Sequence, residues 1–189
     1  MRFGYTDEQE QFRDIVARFM RERSPTSEVR KHMASDAGYD RALWRQLVTE
    51  LGLTGVHVPE SLGGQGFGYV ELGIALEEMG RAFPPSVLAT VLRAPGPTET
   101  EQALLLRALV SGEKLGTLAW VERGGQWDVA ATTLTAHGQG EACRLDGHKK
   151  FVLDGHHADL LLVVARTRGS VGDAGLGVYA VDAEAVGIT

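Results

Sequence analysis

The chain has 189 residues, 43% of them hydrophobic and 23% charged, and its 19 Lys+Arg against 25 Asp+Glu leave a net charge of −6. These values suit one ordinary domain or two small ones whose core needs no covalent staples, and they exclude global disorder and a fibrous repeat. An acidic chain presents no net positive field to a phosphate backbone, so nucleic acid is not an expected partner.

The first 112 residues read as helical. Thr6 is a suitable N-cap, with Asp7 and Glu8 in the positive first turn. Phe12, Ile15, Val16, Phe19 and Met20 then repeat at the spacing of one buried helix face, and Pro25 ends that helix. A second helix is expected from about Asp40 to Leu51, with Leu43, Trp44, Leu47, Val48 and Leu51 inward and Gly52 as its breaker. A third spans Tyr69 to Gly80, burying Leu72, Ala75, Leu76 and Met79 and leaving Glu71, Glu77 and Glu78 in solvent. Val87, Leu88, Val91 and Leu92 suggest a short helix after Pro84-Pro85, and Glu99 to Val110 another, closed by Gly112. From Leu115 the texture becomes strand-like: Leu115–Val121, Val129–Thr135, Glu141–Leu145, Lys149–Leu153, Asp159–Arg166 and Leu176–Val181. Asp146-Gly147 lies between two of these runs and is the strongest local hairpin signal; Asp154-Gly155 marks a second turn, and Thr167–Gly175 reads as a surface loop. The expected organisation is therefore α+β: an all-α helical domain over 1–112, followed by a β domain over 113–189.

Generic chemical motifs are missing. Gly63-Gly64-Gln65-Gly66-Phe67-Gly68 lacks both the spacing of a dinucleotide loop and a strand before it, so it reads as a flexible helix–helix loop. The six histidines contain no H-x-x-x-H pair, and the His156-His157 doublet sits in a turn as polar surface, so no metal site is expected. The single cysteine, Cys143, excludes a disulfide framework and reads as a small core residue rather than a nucleophile. The longest apolar run, Leu160–Ala165, is far too short to span a bilayer, and Asp7-Glu8 interrupts the start before a secretory leader can form. A cytoplasmic protein without membrane contact is the expectation.

Several segments, taken in order, resemble the acyl-CoA dehydrogenase family over essentially the whole chain. They are Thr6–Glu10 with the helix that follows, Trp44–Leu47, Leu51–Gly55 leading into Val58–Gly66, Glu77-Glu78-Met79-Gly80-Arg81, Ser111-Gly112-Glu113, and Leu145–Gly155 with Ala158-Asp159. The resemblance implies a helical domain, a β-barrel-like middle domain and a C-terminal four-helix bundle, with FAD between the last two and help from a neighbouring subunit. It also places the glutamate that removes the substrate's α-proton beyond residue 189, so no catalytic residue is assigned within the chain, and dehydrogenation by these 189 residues alone is not expected.

By the same resemblance, the cofactor-facing positions are Val121, Gly124 and Trp127 on one strand end and Phe151 and Leu153 on a second segment. The family's T-E-P-G-A-G-S-D is Val121–Asp128 here, which keeps Glu122, Gly124 and Asp128 but replaces two hydroxyl residues by Val121 and Trp127. The family's W-I-T is Phe151-Val152-Leu153: Phe151 can still wall the isoalloxazine, whereas Leu153 offers no hydroxyl to flavin N5. Three lost neutral hydrogen bonds weaken cofactor affinity by about 2–4 kcal/mol. Arg123 either recovers part of this at the diphosphate or is a solvated loop residue. Trp44 and Trp120 read as core; Trp127 stacks on a ring or fills the vacated site. Two main functional readings stand: an acyl-CoA dehydrogenase using FAD, acting on an acyl-CoA in a homo- or hetero-oligomer, and a non-catalytic partner subunit whose flavin site is degenerate; related flavoenzymes on the same fold, acyl-CoA oxidases and flavin-dependent hydroxylases, are a third.

Overall fold

Thr6 opens the first helix with a reciprocal capping box. Its hydroxyl accepts the Gln9 N–H at 3.3 Å, and its own N–H donates to Gln9 Oε1 at 3.0 Å, satisfying two donors that a helix start leaves open. The computed structural model describes residues 4–80, 99–138 and 143–189. Its helices are α1 (Asp7–Arg23), α2 (Thr26–Met33), α3 (Arg41–Thr49), α4 (Tyr69–Gly80) and α5 (Glu99–Val110). The strands follow as β1 (Gly116–Ala119), β2 (Thr135–His137), β3 (Arg144–Asp146), β4 (Leu160–Thr167) and β5 (Leu176–Asp182). Helices first and a sheet afterwards is the α+β organisation expected. Residues 4–80 and Ala103–Glu113 belong to one compact unit and Lys114–Thr189 to a second. The helix expected around Val87–Leu92 lies outside the described residues.

In the first unit, Val16 and Met20 of α1, Leu47 of α3, and Ala75 and Met79 of α4 converge with Leu53 and Val56 on one buried cluster. Phe12 and Phe19 pack partly against it, whereas Ile15, one step further round α1, is exposed. Glu78, expected in solvent, is buried at 4% exposure. It lies on the face of α4 that meets α1, where its Oε1 accepts from Arg13 Nε at 3.0 Å. A carboxylate so enclosed is tolerable only with a cationic hydrogen-bonding partner. The helix α2 has no counterpart in the sequence pattern because it buries none of its residues; without an inward stripe there is no periodicity to read.

The glycine-rich run 63–68 is not the loose connection expected. Gln65, Gly66 and Phe67 N–H groups donate to the carbonyls of Gly55, Val58 and Val56 at 2.9, 2.8 and 2.9 Å. The run therefore lies against 55–58 like an added strand, and a Cβ at Gly64 would stand 2.1 Å from the Val58 carbonyl oxygen. Backbone on both sides cannot yield as a side chain would. Gly64→Ala is accordingly expected to cost at least about 1–3 kcal/mol, read as a lower midpoint in thermal or urea unfolding.

In the second unit β4 is central. Its length pairs antiparallel with β5 (Leu162 opposite Ala180), and its other edge pairs in succession with β1 (Leu162 opposite Leu118) and β2 (Arg166 opposite Thr135), both parallel. The hairpin partner of β2 is β3, with Ala136 opposite Leu145. A strand enclosed on both edges and faces reads as a continuous apolar run, which accounts for Leu160–Ala165. Val163 and Ala165 pack with Ala119, Leu134 and Ala136, and Cys143 sits against this cluster as a partly buried residue.

Three strand expectations are corrected. Val129–Ala131 is a 3-10 turn, because Asp128 Oδ1 caps it by accepting the Ala130 N–H at 2.9 Å; the strand begins only at Thr135. Lys149–Leu153 joins no sheet, for reasons given below. Asp146-Gly147 does not turn between two paired strands: Asp146 ends β3, and Gly147, at φ 147°, is pressed so close to Leu134 that a Cβ would lie 2.9 Å from its Cα. Of the Glu141–Leu145 run, residues 141 and 142 lie outside the described residues. Among the described residues no helix is long and apolar enough to cross a membrane, and no group of three or more His, Cys, Asp or Glu could hold a metal ion.

Candidate functional site

Glu122 follows β1 and points its carboxylate into a ring of donors. Oε1 accepts from Lys149 Nζ at 2.8 Å and from the Leu134 N–H at 2.9 Å; Oε2 accepts from the Thr133 N–H at 2.9 Å and from the Thr133 hydroxyl. Partial burial alone would push its pKa up. The Lys149 ammonium, the Thr133 hydroxyl and the two backbone N–H groups outweigh that and lower it to about 2. Lys149 is itself buried, with its side chain only 6% exposed, and donates a further bond to the Trp120 carbonyl at 3.0 Å.

Next to this bracket, residues 122–125 turn on a Gly125 N–H bond to the Glu122 carbonyl at 2.9 Å. The turn borders an open groove of about 230 Å³ lined by Trp120, Arg123, Gly124, Gln126, Asp128 and Thr132, among others. The far wall is fixed by Arg166, which is buried. Its guanidinium donates to the carbonyls of Thr132, Ala130 (2.8 Å) and Gly172 (2.9 Å) and to Ser170 Oγ (3.3 Å). Trp120, expected in the core, instead lines the groove and meets Trp127 edge-on, with ring centroids 5.4 Å apart.

The second segment runs alongside the first. The Lys150 N–H donates to the Val121 carbonyl at 2.8 Å, and the Leu153 carbonyl accepts from Thr117 Oγ1 at 2.6 Å. Between those ties Phe151 adopts φ 55°, a left-handed conformation that strains a bulky residue by about 1–3 kcal/mol. This is why the segment cannot be a strand. Asp154, at φ 50°, opens the turn that the sequence marks at Asp154-Gly155.

The five cofactor-facing candidates thus fall on two adjoining stretches of one unit. Trp127, Phe151 and Leu153 are exposed at 76, 77 and 80%, and Gly124 lines the groove. Val121 differs: the residue is buried at 6% exposure and its carbonyl is taken by the Lys150 N–H, so it offers a ligand no exposed side chain. Three residues of the site carry no sequence signal as candidates: Thr117 and Lys149, which tie the second segment down, and Glu122 in its role as the anchor of Lys149.

The FAD implied by the resemblance asks for an aromatic wall, a turn of backbone donors and an opening beside them. Exposed Phe151, the turn after Glu122 and the groove supply these, so the residues present fit its ring system and diphosphate in kind. The hydroxyl donors are what they lack.

Known proteins share this fold. The profile of the acyl-CoA dehydrogenase N-terminal domain matches residues 6–113, and that of the acyl-CoA dehydrogenase middle domain matches 117–189. The chain is 31% identical over 172 residues to the mitochondrial isovaleryl-CoA dehydrogenase of Pongo abelii, a match covering 87% of this chain and 40% of that protein. Among solved structures, the G363A variant of the Tcur3481-Tcur3483 steroid ACAD superposes with a TM-score of 0.79 at 34% identity, over 96% of this chain and 49% of that one. The ChsE4-ChsE5 complex from Mycobacterium tuberculosis does so with a TM-score of 0.80 at 28% identity, over 99% and 50%. The chain therefore spans about half or less of the length of each relative.

Proposed function

The chain belongs to the acyl-CoA dehydrogenase family, and from that premise we propose that its second unit forms the flavin-facing part of an acyl-CoA dehydrogenase. Such an oxidoreductase removes the α-proton and β-hydride of an acyl-CoA thioester, and FAD, when bound, supplies the hydride acceptor. The observation that carries the reading is the pairing of residues 120–122 with 149–150, which sets an exposed aromatic side chain beside a turn of backbone donors. In this reading Phe151 walls one face of the ring system and excludes water from it. The backbone N–H groups of Gly124, Gln126 and Trp127 orient the diphosphate, and Arg123 adds positive charge there. Trp127 covers an edge of the groove. No residue of this chain is assigned as the base.

Titration of the purified chain with FAD, followed by flavin fluorescence, tests this. Saturable binding is expected, weakened roughly two- to tenfold by Phe151→Ala and tightened by a similar factor in Leu153→Thr, which restores a hydroxyl at the flavin edge. Absence of saturable binding, or binding indifferent to residue 151, would reject the flavin reading.

A second reading follows from the buried Val121 side chain and the apolar Leu153: a non-catalytic subunit that supports an active family member in a hetero-oligomer. One structural relative is a complex of two differently named chains, ChsE4 and ChsE5. Under this reading the purified chain is colourless, and it forms a defined complex with a flavin-containing family member.

A further inference from the structure

Phe151 and Asp154 are the described non-glycine residues with positive φ. Asp154 can use a left-handed conformation in a turn without difficulty, but a phenylalanine there needs an external cause. Left alone, residues 149–153 would relax to negative φ and carry the ring of Phe151 elsewhere. Two ties prevent this. On the N-terminal side, Lys149 Nζ reaches the Trp120 carbonyl at 3.0 Å and Glu122 Oε1 at 2.8 Å, and the Lys150 N–H reaches the Val121 carbonyl at 2.8 Å. Glu122 is itself immobilised by Thr133 and Leu134. On the C-terminal side, the buried Thr117 hydroxyl holds the Leu153 carbonyl at 2.6 Å. All of the fastening groups come from β1 or its immediate continuation, so the span available to Phe151 is set by one rigid edge. Bonds made in such enclosed surroundings are strong enough to hold a strained residue between them.

We propose that Thr117 and Lys149 are positioning residues that clamp Phe151 in its left-handed conformation and so aim its ring at the cofactor. The aim, though not the clamp, rests on the flavin reading above. Neither residue touches the cofactor in this scheme; both act through the backbone of 149–153.

The test uses the full 189-residue chain and reads the φ of Phe151 by NMR, from its amide–Hα coupling and carbon shifts, with β4 and β5 resonances as the check on the fold. Thr117→Val removes one tie without introducing a charge. The double variant Glu122→Gln/Lys149→Met removes the side-chain bonds of the other without stranding a charge, leaving only the Lys150 N–H bond to Val121 on that side. Thr117→Ser retains the hydroxyl. Thr117→Val and the double variant are expected to lose the positive-φ signature with β4 and β5 unchanged, and Thr117→Ser is expected to keep it. FAD titration of the same proteins should show affinity reduced about tenfold in the first two and unchanged in the last. If Phe151 stays left-handed in Thr117→Val while the fold is intact, the clamp is wrong. If Phe151 relaxes and FAD affinity does not change, the positioning role is wrong. A wild-type chain that binds no FAD, yet whose Phe151 follows residues 117 and 149, upholds the clamp and removes the flavin reading instead. Should the double variant not fold, Thr117→Val decides alone.

Discussion

Lys149→Met is expected to lower the stability of the second unit by about 3–5 kcal/mol at neutral pH. Lys149 and Glu122 are both largely enclosed, with side chains 6% and 15% exposed and 2.8 Å between Nζ and Oε1. Methionine fills the space of the lysine stem but leaves the carboxylate facing the Trp120 carbonyl without a counter-charge. The double variant Glu122→Gln/Lys149→Met should recover much of the loss, because it is the unpaired charge rather than the missing bond that dominates. The same pair gives a pH signature. Glu122 has a folded pKa of about 2 against an ordinary 4.5. A carboxylate whose folded pKa is depressed stabilises the protein above its unfolded pKa and ceases to do so as pH falls through the folded one. About 3 kcal/mol should therefore be lost between about pH 5 and pH 2. In Lys149→Met this loss should be smaller, since the largest of the interactions that depress the pKa is gone while the Thr133 and Leu134 bonds remain, and the gap between variant and wild type should narrow as pH falls. Urea unfolding at a series of pH values measures both. A gap that stays constant from pH 7 to pH 3 would show that the pair is not coupled as described.

What could be read in advance follows from what each residue does. The bounds of α4 and α5 coincide with the expected spans because each combines an apolar run with a clear start and stop. β4 was visible because a strand enclosed on all sides must be apolar throughout. α2 left no trace because it contributes nothing to the core, and the burial of Glu78 was hidden because it depends on Arg13, 65 residues away. The same distinction governs the site. The resemblance brought 121–128 and 149–153 together, but the means by which they are joined could not be read: a lysine and a glutamate 27 residues apart form no recognisable pattern. The strand-like composition of 129–135 and 149–153 was misleading for a related reason. Val129 follows a capping aspartate into a 3-10 turn, and Phe151 is held outside the β region by side chains remote in sequence. Local preference lost to the Asp128 cap in the first place and to bonds made from elsewhere in the second.

Leu134→Ala is expected to cost about 2–5 kcal/mol through a different route from Lys149→Met, and the contrast separates packing from charge. Leu134 is buried with Ala119, Ala136, Val163 and Ala165. The other buried members of the cluster are alanine or valine and have little side chain with which to refill the space, while Leu145, Leu161 and Tyr179 pack against the cluster from its edge. The backbone at Gly147, already in close approach to Leu134, could collapse inward only by disturbing the end of β3. Part of the cavity therefore persists, and the loss should lie within that range. The Leu134 N–H that donates to Glu122 is backbone and survives the substitution, as do Lys149 and Thr133. The pH dependence of stability should then run parallel to that of the wild type, displaced downward by a constant amount. Unfolding at pH 7 and at pH 3 distinguishes the cases. Equal losses at the two values place the effect in the core, whereas a loss that shrinks at low pH would mean that the leucine side chain helps to hold the Glu122 bracket, and that the groove wall and the core beneath it are one cooperative element.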